Sequence, residues 1–147
     1  METQRITFTL PLPPSINHQY ATVGQRRVLS KESRRYKRAV ERSIGRLRAT
    51  GHIGDGFVSA ARQGYVGLFF DFYFETPLRR DLDGGLKIAQ DAICEALGVD
   101  DRRVVDIHLV KRIAPLNPRL EVELEVFPDW QFDEEYAVLD PEDTASG

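Results

Sequence analysis

The segment from Tyr65 to Glu75 most restricts the folds open to this chain. It is a long, predominantly apolar segment, rich in aromatic residues and too short for a membrane span, which is typical of a strand inside a sheet. The segment RRDLDGGLK follows it, and apolar residues then recur at helical spacing up to Gly98: Leu86, Ala89, Ile93, Ala96 and Leu97. The sequence therefore predicts a long central strand and, after a short polar turn, a helix over roughly 84–97.

Three further segments have strand patterns. Ile6, Phe8 and Leu10 alternate with threonines until a proline run stops the strand. Residues 104–113 and 120–127 form two more predicted strands, joined by the PLNP turn. Residues 11–29 are predicted to be an ordered loop, with a short strand at 27–29.

A second helix is predicted to begin after Ser30, a good N-cap residue, and to end at Gly51. Its apolar stripe comprises Tyr36, Ala39, Val40, Ser43, Ile44 and Leu47, and its opposite face carries Arg34, Arg35, Lys37, Arg38, Arg42, Arg46 and Arg48. The glycine-rich stretch 51–64 is predicted to be a loop.

These elements predict one α/β (α+β) domain over residues 1–128, with a small mixed or antiparallel sheet of about four strands and two main helices packed on it. Residues 129–147 are predicted to form an acidic, flexible tail, although Trp130, Phe132 and Tyr136 could pack back on the body.

The net charge of −3 hides an uneven distribution. The tail has seven acidic side chains and no Lys or Arg, which leaves 20 basic against 16 acidic side chains in the body. Residues 26–48 alone contain ten Lys and Arg against Glu32 and Glu41. Solvated charged faces are common on surface helices, but intrahelical ion pairs cannot neutralise this excess, whereas a phosphate backbone would.

Composition also narrows the class of protein. No apolar run has the length of a membrane span, and the N-terminus lacks the pattern of a signal peptide, so no membrane association and a cytoplasmic location are expected. Cys94 is the only cysteine, which excludes an intramolecular disulfide and a thiolate zinc site. His18, His52 and His108 have no metal-ligand spacing.

Two acidic pairs are candidates for a metal site. Asp81 and Asp83 point the same way on an extended backbone, and a return of the following helix could bring Asp100 and Asp101 beside them. Carboxylate oxygens suit Mg²⁺ or Mn²⁺ better than zinc. A structural alternative is that Asp83 is only the N-cap of the helix. An EF-hand is excluded, because its third acidic ligand and closing Glu are missing.

The order of motifs resembles the RusA family of Holliday junction resolvases over about residues 6–127. The matching segments are LPLPPSINHQY, the basic helix, RDLDGGLKIAQDAICEAL and DDRRVVDIHLVK. The resemblance implies a homodimer that cuts four-way junction DNA by paired nicks during recombination and repair, with Mg²⁺ as cofactor and Mn²⁺ as a substitute. A phage or prophage origin stays open.

Carried over by position, the catalytic and metal-binding residues are Asp81, Asp83 and Asp101. Lys87 would stabilise charge on the scissile phosphate, and the remaining cations would contact DNA: Arg79, Arg80, Lys111, Arg34, Arg35, Arg38 and Arg42.

The chain departs from the family pattern at two places. Gly84 and Gly85 stand where an amide usually follows D-x-D, and Arg103 replaces a common Gln. Two alternatives therefore stay open: a nuclease for flaps or other branched DNA, and a non-catalytic DNA-binding protein of the same fold.

Overall fold

The computed structural model describes residues 4–15 and 18–138. The elements are β1 (Gln4–Leu10), β2 (Tyr20–Val23), β3 (Arg26–Leu29), α1 (Lys31–Ala49), α2 (Asp55–Gln63), β4 (Tyr65–Phe74), α3 (Leu86–Leu97), a 3₁₀ turn (Asp101–Arg103), β5 (Val104–Ile113) and β6 (Arg119–Phe127). No helix in this described part is long and apolar enough to cross a membrane.

Four strands form one mixed sheet in the order β1-β6-β4-β5. β6 is antiparallel to both β1 and β4, whereas β4 and β5 are parallel. The predicted mixed sheet with a long interior strand is therefore confirmed. β2 and β3 form a separate antiparallel hairpin, which extends the short strand expected at 27–29.

The core lies on one face of the sheet. Alternate residues of β4 from Val66 to Phe74 are buried, and they pack with buried residues of all three helices. Their period of two follows from the strand geometry, which directs successive side chains to opposite faces. α1 and α3 pack against each other, and buried residues of both, such as Val40 and Ile93, belong to the core. The two predicted main helices are thus present.

The start of α1 and the end of α3 are those that the sequence predicts. The Ser30 hydroxyl accepts a hydrogen bond from the amide of Ser33 at 3.1 Å, which caps α1. Gly98 ends α3 in the left-handed conformation, with φ of 67°. Glycine adopts this conformation without the steric cost that a side chain imposes.

The prediction of a loop over residues 51–64 is wrong, because α2 occupies Asp55–Gln63. Its buried residues Phe57, Val58 and Ala61 lie on one helical face. The glycines that suggested a loop stand mainly at its ends, where Gly54 is the N-cap and Gly64 the C-cap. Tertiary packing of a short apolar face therefore outweighs the low helix propensity of Gly56.

The described part of the tail, up to Val138, carries aromatic contacts. The ring of Trp130 lies 5.1 Å from that of Phe127, and the ring of Phe132 lies 5.2 Å from that of Tyr65. These contacts join residues 130–132 to the ends of β4 and β6. Residues 139–147 of the predicted flexible tail lie outside the described part of the chain.

The turn after Asp83 packs closely on the proline run that follows β1, at residues 11–14. A Cβ added to Gly85 would lie 2.3 Å from Cγ of Pro13, which is closer than two carbon atoms can approach. A Cβ on the neighbouring Gly84 would meet nothing closer than 3.4 Å. The two adjacent glycines therefore differ: packing requires Gly85 and tolerates a side chain at Gly84.

We expect Gly85→Ala to lower the free energy of unfolding by about 1–3 kcal/mol, because the added methyl group displaces the proline run. Gly84→Ala, the matched control, should stay within about 0.5 kcal/mol of the parent protein. Urea denaturation monitored by circular dichroism measures both values. Equal stabilities for the two variants would contradict the close packing of Gly85 on Pro13.

Candidate active site

Residues 75–85, between β4 and α3, form the aspartate loop, which carries Asp81 and Asp83. Lys111 of β5 holds the first half of this loop in place. The ammonium group of Lys111 donates hydrogen bonds to the carbonyl oxygens of Pro77 and Arg80, both at 2.9 Å. A charged donor makes a stronger hydrogen bond than a neutral one. Lys111, predicted to contact phosphate, therefore anchors the loop that carries the aspartates.

The chain segment that follows β1, residues 11–19, also holds the aspartate loop in place. The side-chain amide of Gln19, only 1% exposed, donates to the carbonyl oxygens of Gly84 at 2.6 Å and Pro14 at 3.0 Å. The guanidinium of Arg80 donates to the carbonyl oxygen of Pro13 at 2.7 Å. The side chains of Gln19 and Arg80 thus tie the aspartate loop to the segment that follows β1.

The two adjacent arginines of this loop have different environments. Arg80 is half-buried, its guanidinium 5.2 Å from the ring centroid of Phe74, and burial lowers its pKa despite the opposing influence of Tyr36. Arg79 is exposed, and it has no hydrogen bond or ion pair to another described residue. Of the two predicted phosphate contacts, Arg79 is therefore the one with a free cationic group.

Asp81 lines a cavity of about 390 Å³ between the aspartate loop and the proline segment. Arg79 and Arg80 line the same cavity, and His18 and Ser15 add polar groups to its wall. The structure therefore brings three of the predicted residues together. An anionic group that enters this cavity would meet two guanidinium groups beside one carboxylate.

Asp83 does not cap α3 with its side chain. The helix begins at Leu86, its N-cap is Gly85, and no side chain caps it. The contact of Asp83 with the helix is through its backbone, because its carbonyl oxygen accepts from the amide of Leu86 at 3.1 Å. The interpretation of Asp83 as the helix N-cap is therefore wrong, and its carboxylate has no capping role.

The two residues of the second acidic pair, Asp100 and Asp101, have different partners. Arg102 binds both carboxylate oxygens of Asp100, at 2.7–3.1 Å, and its amide donates to the same side chain at 2.9 Å. These hydrogen bonds, those of the Arg102 side chain first, lower the pKa of Asp100 to about 2. Asp100 therefore has a close cationic partner, whereas the nearest cation to Asp101 is the more distant Lys87.

Asp101 lies beside Lys87 from the first turn of α3. Its carboxylate is 3.9 Å from the Lys87 ammonium group, which also binds Asp91 at 3.0 Å. The hydrogen bond to Asp91 is the main cause of the raised pKa of Lys87. The lysine therefore remains charged at neutral pH, next to a predicted catalytic carboxylate.

Cys94 and Asp101 line a second, acidic hollow of about 500 Å³ with Asp91 and Glu95. Burial raises the pKa of Cys94 to about 12, so its thiol stays protonated and unreactive. This environment fits a small apolar filler and gives Cys94 no catalytic role.

Within residues 4–15 and 18–138, no group of three or more His, Cys, Asp or Glu side chains is arranged to hold a metal ion. Asp81 faces one cavity, and Asp101 is held by Lys87 beside another. The donor chemistry of three carboxylates suits Mg²⁺, but their convergence remains a prediction.

The basic face of α1 is only partly neutralised. Lys37 binds Glu95 at 2.8 Å, Arg48 binds Asp55 at 3.1 Å, and Arg34 donates to the carbonyl oxygen of Leu29. By contrast, the remaining predicted DNA contacts are exposed and have no acidic partner in the described part of the chain: Arg35, Arg38 and Arg42. These three contribute free cationic groups to the exposed surface of the helix.

Sequence reasoning missed the residues that hold the site in place. Gln19 and Tyr36 are buried, and the Tyr36 hydroxyl donates to the carbonyl oxygen of Pro11 at 2.9 Å. Because their partners are backbone carbonyls far away in sequence, no local pattern could have identified them. The only indication was the proline run itself, which predicted an ordered segment.

Comparison with known proteins agrees with the order of motifs. The family described as endodeoxyribonuclease RusA matches residues 11–125. A search of curated proteins found no significant match. One similar solved structure is a 2C-methyl-D-erythritol 2,4-cyclodiphosphate synthase from Plasmodium vivax, with 11% identity and a TM-score of 0.29 over 84% of this chain and 93% of that one. Likeness at that level carries no argument. The family match spans the aspartate loop, the three helices and every strand except β1 and the last two residues of β6, and by it this chain belongs to the RusA endodeoxyribonuclease family.

Proposed function

We propose that this protein is a Mg²⁺-dependent, structure-selective endonuclease that resolves four-way DNA junctions by paired nicks during recombination and repair. The observation that carries the proposal is the anchored aspartate loop, which places Asp81 in a cavity lined by Arg79 and Arg80. Rigid positioning of this kind lowers the entropic cost of bringing a phosphodiester to its reacting groups. Membership of an endodeoxyribonuclease family supplies the reaction class.

The residues of this chain would have separate roles in DNA binding and cleavage. Arg79 would bind the phosphate next to the cut site, and the half-buried Arg80 would hold the cavity wall beside it. Lys87, a cation in the first turn of α3 beside Asp101, would stabilise negative charge that develops on the scissile phosphate. Arg35, Arg38 and Arg42 would bind the backbone of a junction arm.

Asp81, Asp83 and Asp101 would hold the Mg²⁺, with Mn²⁺ as a substitute. When bound, the ion would activate water and neutralise phosphate charge. The ion pair between Asp100 and Arg102 supports the choice of Asp101, because Asp100 would have to give up that partner to bind the ion. Lys87, whose ammonium group binds Asp91 and lies 3.9 Å from the Asp101 carboxylate, would be within reach of a phosphate held beside Asp101.

A non-catalytic DNA-binding protein of the same fold is the alternative from another class. It is favoured by Gly84, because packing does not require glycine there, and the amide that usually follows D-x-D is nevertheless missing. A nuclease for flaps or other branched DNA would use the same residues. Cleavage assays with synthetic junctions, flaps and linear duplexes in Mg²⁺ separate the three functions.

Asp81→Asn should lower junction cleavage by roughly 10³-fold or more, because it removes a strong metal ligand and with it several kcal/mol of transition-state stabilisation. Junction binding should persist, since the contacts to phosphate come from arginine and lysine side chains. Single-turnover cleavage and gel-shift titration measure the two effects.

Asp133→Asn is the matched control, because Asp133 is exposed and lies in the aromatic segment beyond β6. It should cut junctions at the parental rate. An Asp81→Asn protein that also keeps the parental rate would remove Asp81 from the active site.

Junction affinity should fall steeply with salt, because each phosphate contact on duplex DNA releases about 0.9 counterion. Replacing Arg35, Arg38 and Arg42 with alanine should reduce the slope of log affinity against log salt by roughly 2–3. Arg48→Ala, whose side chain already binds Asp55, should change the slope little. A slope unaffected by the triple change would mean that α1 faces solvent in the complex.

We also expect a homodimer, because a four-way junction presents two equivalent cut sites that a two-fold pair of subunits can engage together. Light scattering at micromolar concentration should give about twice the 16.7 kDa of one chain, with and without junction DNA. A mass near that of one chain in both conditions would contradict paired nicking by a dimer.

A further inference from the structure

A leucine stands fully in solvent at the edge of the candidate active site. Leu78 is 95% exposed, yet it lines the same cavity as Asp81 and is three residues from it in sequence. It contributes nothing to the core. Single exposed apolar residues are ordinary on protein surfaces, so exposure alone assigns no role to this one.

The backbone around Leu78 is held from both sides. Lys111 binds the carbonyl oxygens of the residues before and after the Leu78–Arg79 pair, Pro77 and Arg80, and Arg80 is tied in turn to Pro13. A mobile loop would lose conformational entropy on pressing a side chain into a ligand, whereas this turn is already ordered. Leu78 is therefore an apolar group presented to solvent on a fixed support.

The residues beside Leu78 indicate which kind of ligand its side chain would contact. Arg79 is exposed without a partner among the described residues, and Arg80 lines the same cavity. These two cations attract a phosphate backbone to the place where the leucine projects. Once the backbone is bound there, the neighbouring bases are the apolar surface that Leu78 can reach.

Resting on the function proposed above, we propose that Leu78 is a wedge that inserts between base pairs at the branch point and unstacks the nucleotide next to the scissile phosphate. Apolar side chains inserted between base steps are a known way of opening a duplex, and leucine is among those that do it. The half-open cavity of about 390 Å³ between the two loops gives the displaced nucleotide a polar site beside Asp81.

Such a wedge makes the enzyme selective for branched DNA. Unstacking costs least where the stack is already interrupted, and stacking is interrupted at a branch point and continuous in a linear duplex. Leu78 would thus contribute little to binding a linear duplex and much to engaging a junction. It acts as a specificity residue and needs no part in the chemistry.

The test compares the protein with Leu78→Ser, Leu78→Met and Leu116→Ser on a junction that carries 2-aminopurine at the branch. Leu116 is the matched control, because it is 100% exposed in the turn between β5 and β6 and does not line the cavity. All four proteins should fold alike, since the substituted side chains are exposed.

In Mg²⁺-free buffer, the parent protein, Leu78→Met and Leu116→Ser should raise 2-aminopurine fluorescence on binding, and Leu78→Ser should not. In Mg²⁺, Leu78→Ser should cut the fully paired junction roughly 10- to 100-fold more slowly, the factor expected when one leucine side chain is no longer buried. A junction with two unpaired nucleotides at the branch should restore its rate, because no stack remains to be opened.

Parental fluorescence and rate for Leu78→Ser, or an equal loss for Leu116→Ser, would overturn the wedge. So would a defect that the unpaired junction does not relieve. A parent protein that binds junctions and raises fluorescence without cutting them would contradict the proposed catalysis and leave the fluorescence comparison to decide on Leu78.

Discussion

The parallel pairing of β4 and β5 is the constraint on which the candidate site depends. Parallel neighbouring strands need a crossover connection, because the chain must return to the end of the sheet where the first strand began before the second strand can start. Here the crossover comprises the loop 75–85, α3 and the 3₁₀ turn at Asp101–Arg103. The acidic candidates and Lys87 therefore all lie on one connection. The sheet fixes both ends of that connection, and Lys111 of β5 reaches back to fix its first loop.

Electrostatics accounts for the way the crossover carboxylates are distributed. Arg102 holds Asp100, Lys87 lies beside Asp101, and Arg79 and Arg80 share the cavity of Asp81. Two like charges 4 Å apart repel by about 4 kcal/mol at an effective dielectric constant of 20, so carboxylates gather only where a cation compensates them. The proposed metal ion would replace local cations in this role, which makes the arrangement of the acids dependent on what is bound.

The sequence predicted the parts of this protein that local patterns determine. The strand β4, the Ser30 cap of α1 and the Gly98 end of α3 were all predicted correctly, because each depends on residues only a few positions apart. Helix α2 was missed, since its glycines outweighed a short apolar face whose burial depends on the sheet. The contacts of Gln19 and Lys111 with distant carbonyl oxygens could not be predicted at all. They arise only when the loop, β5 and the proline run meet in space, and no residue type by itself indicates such a partner.

The place of β6 in the sheet has a consequence for the order in which the molecule is made. β1 joins the sheet through β6, which lies between it and β4. The proline run and Gln19, which hold the aspartate loop, follow directly from β1. On a ribosome, residues 119–127 emerge after every residue of the site has been synthesised, and until they do β1 has no strand to pair with. A chain that still lacks residues 119–127 therefore cannot hold β1 in the sheet, and the segment after β1 that ties down the aspartate loop is left without its support.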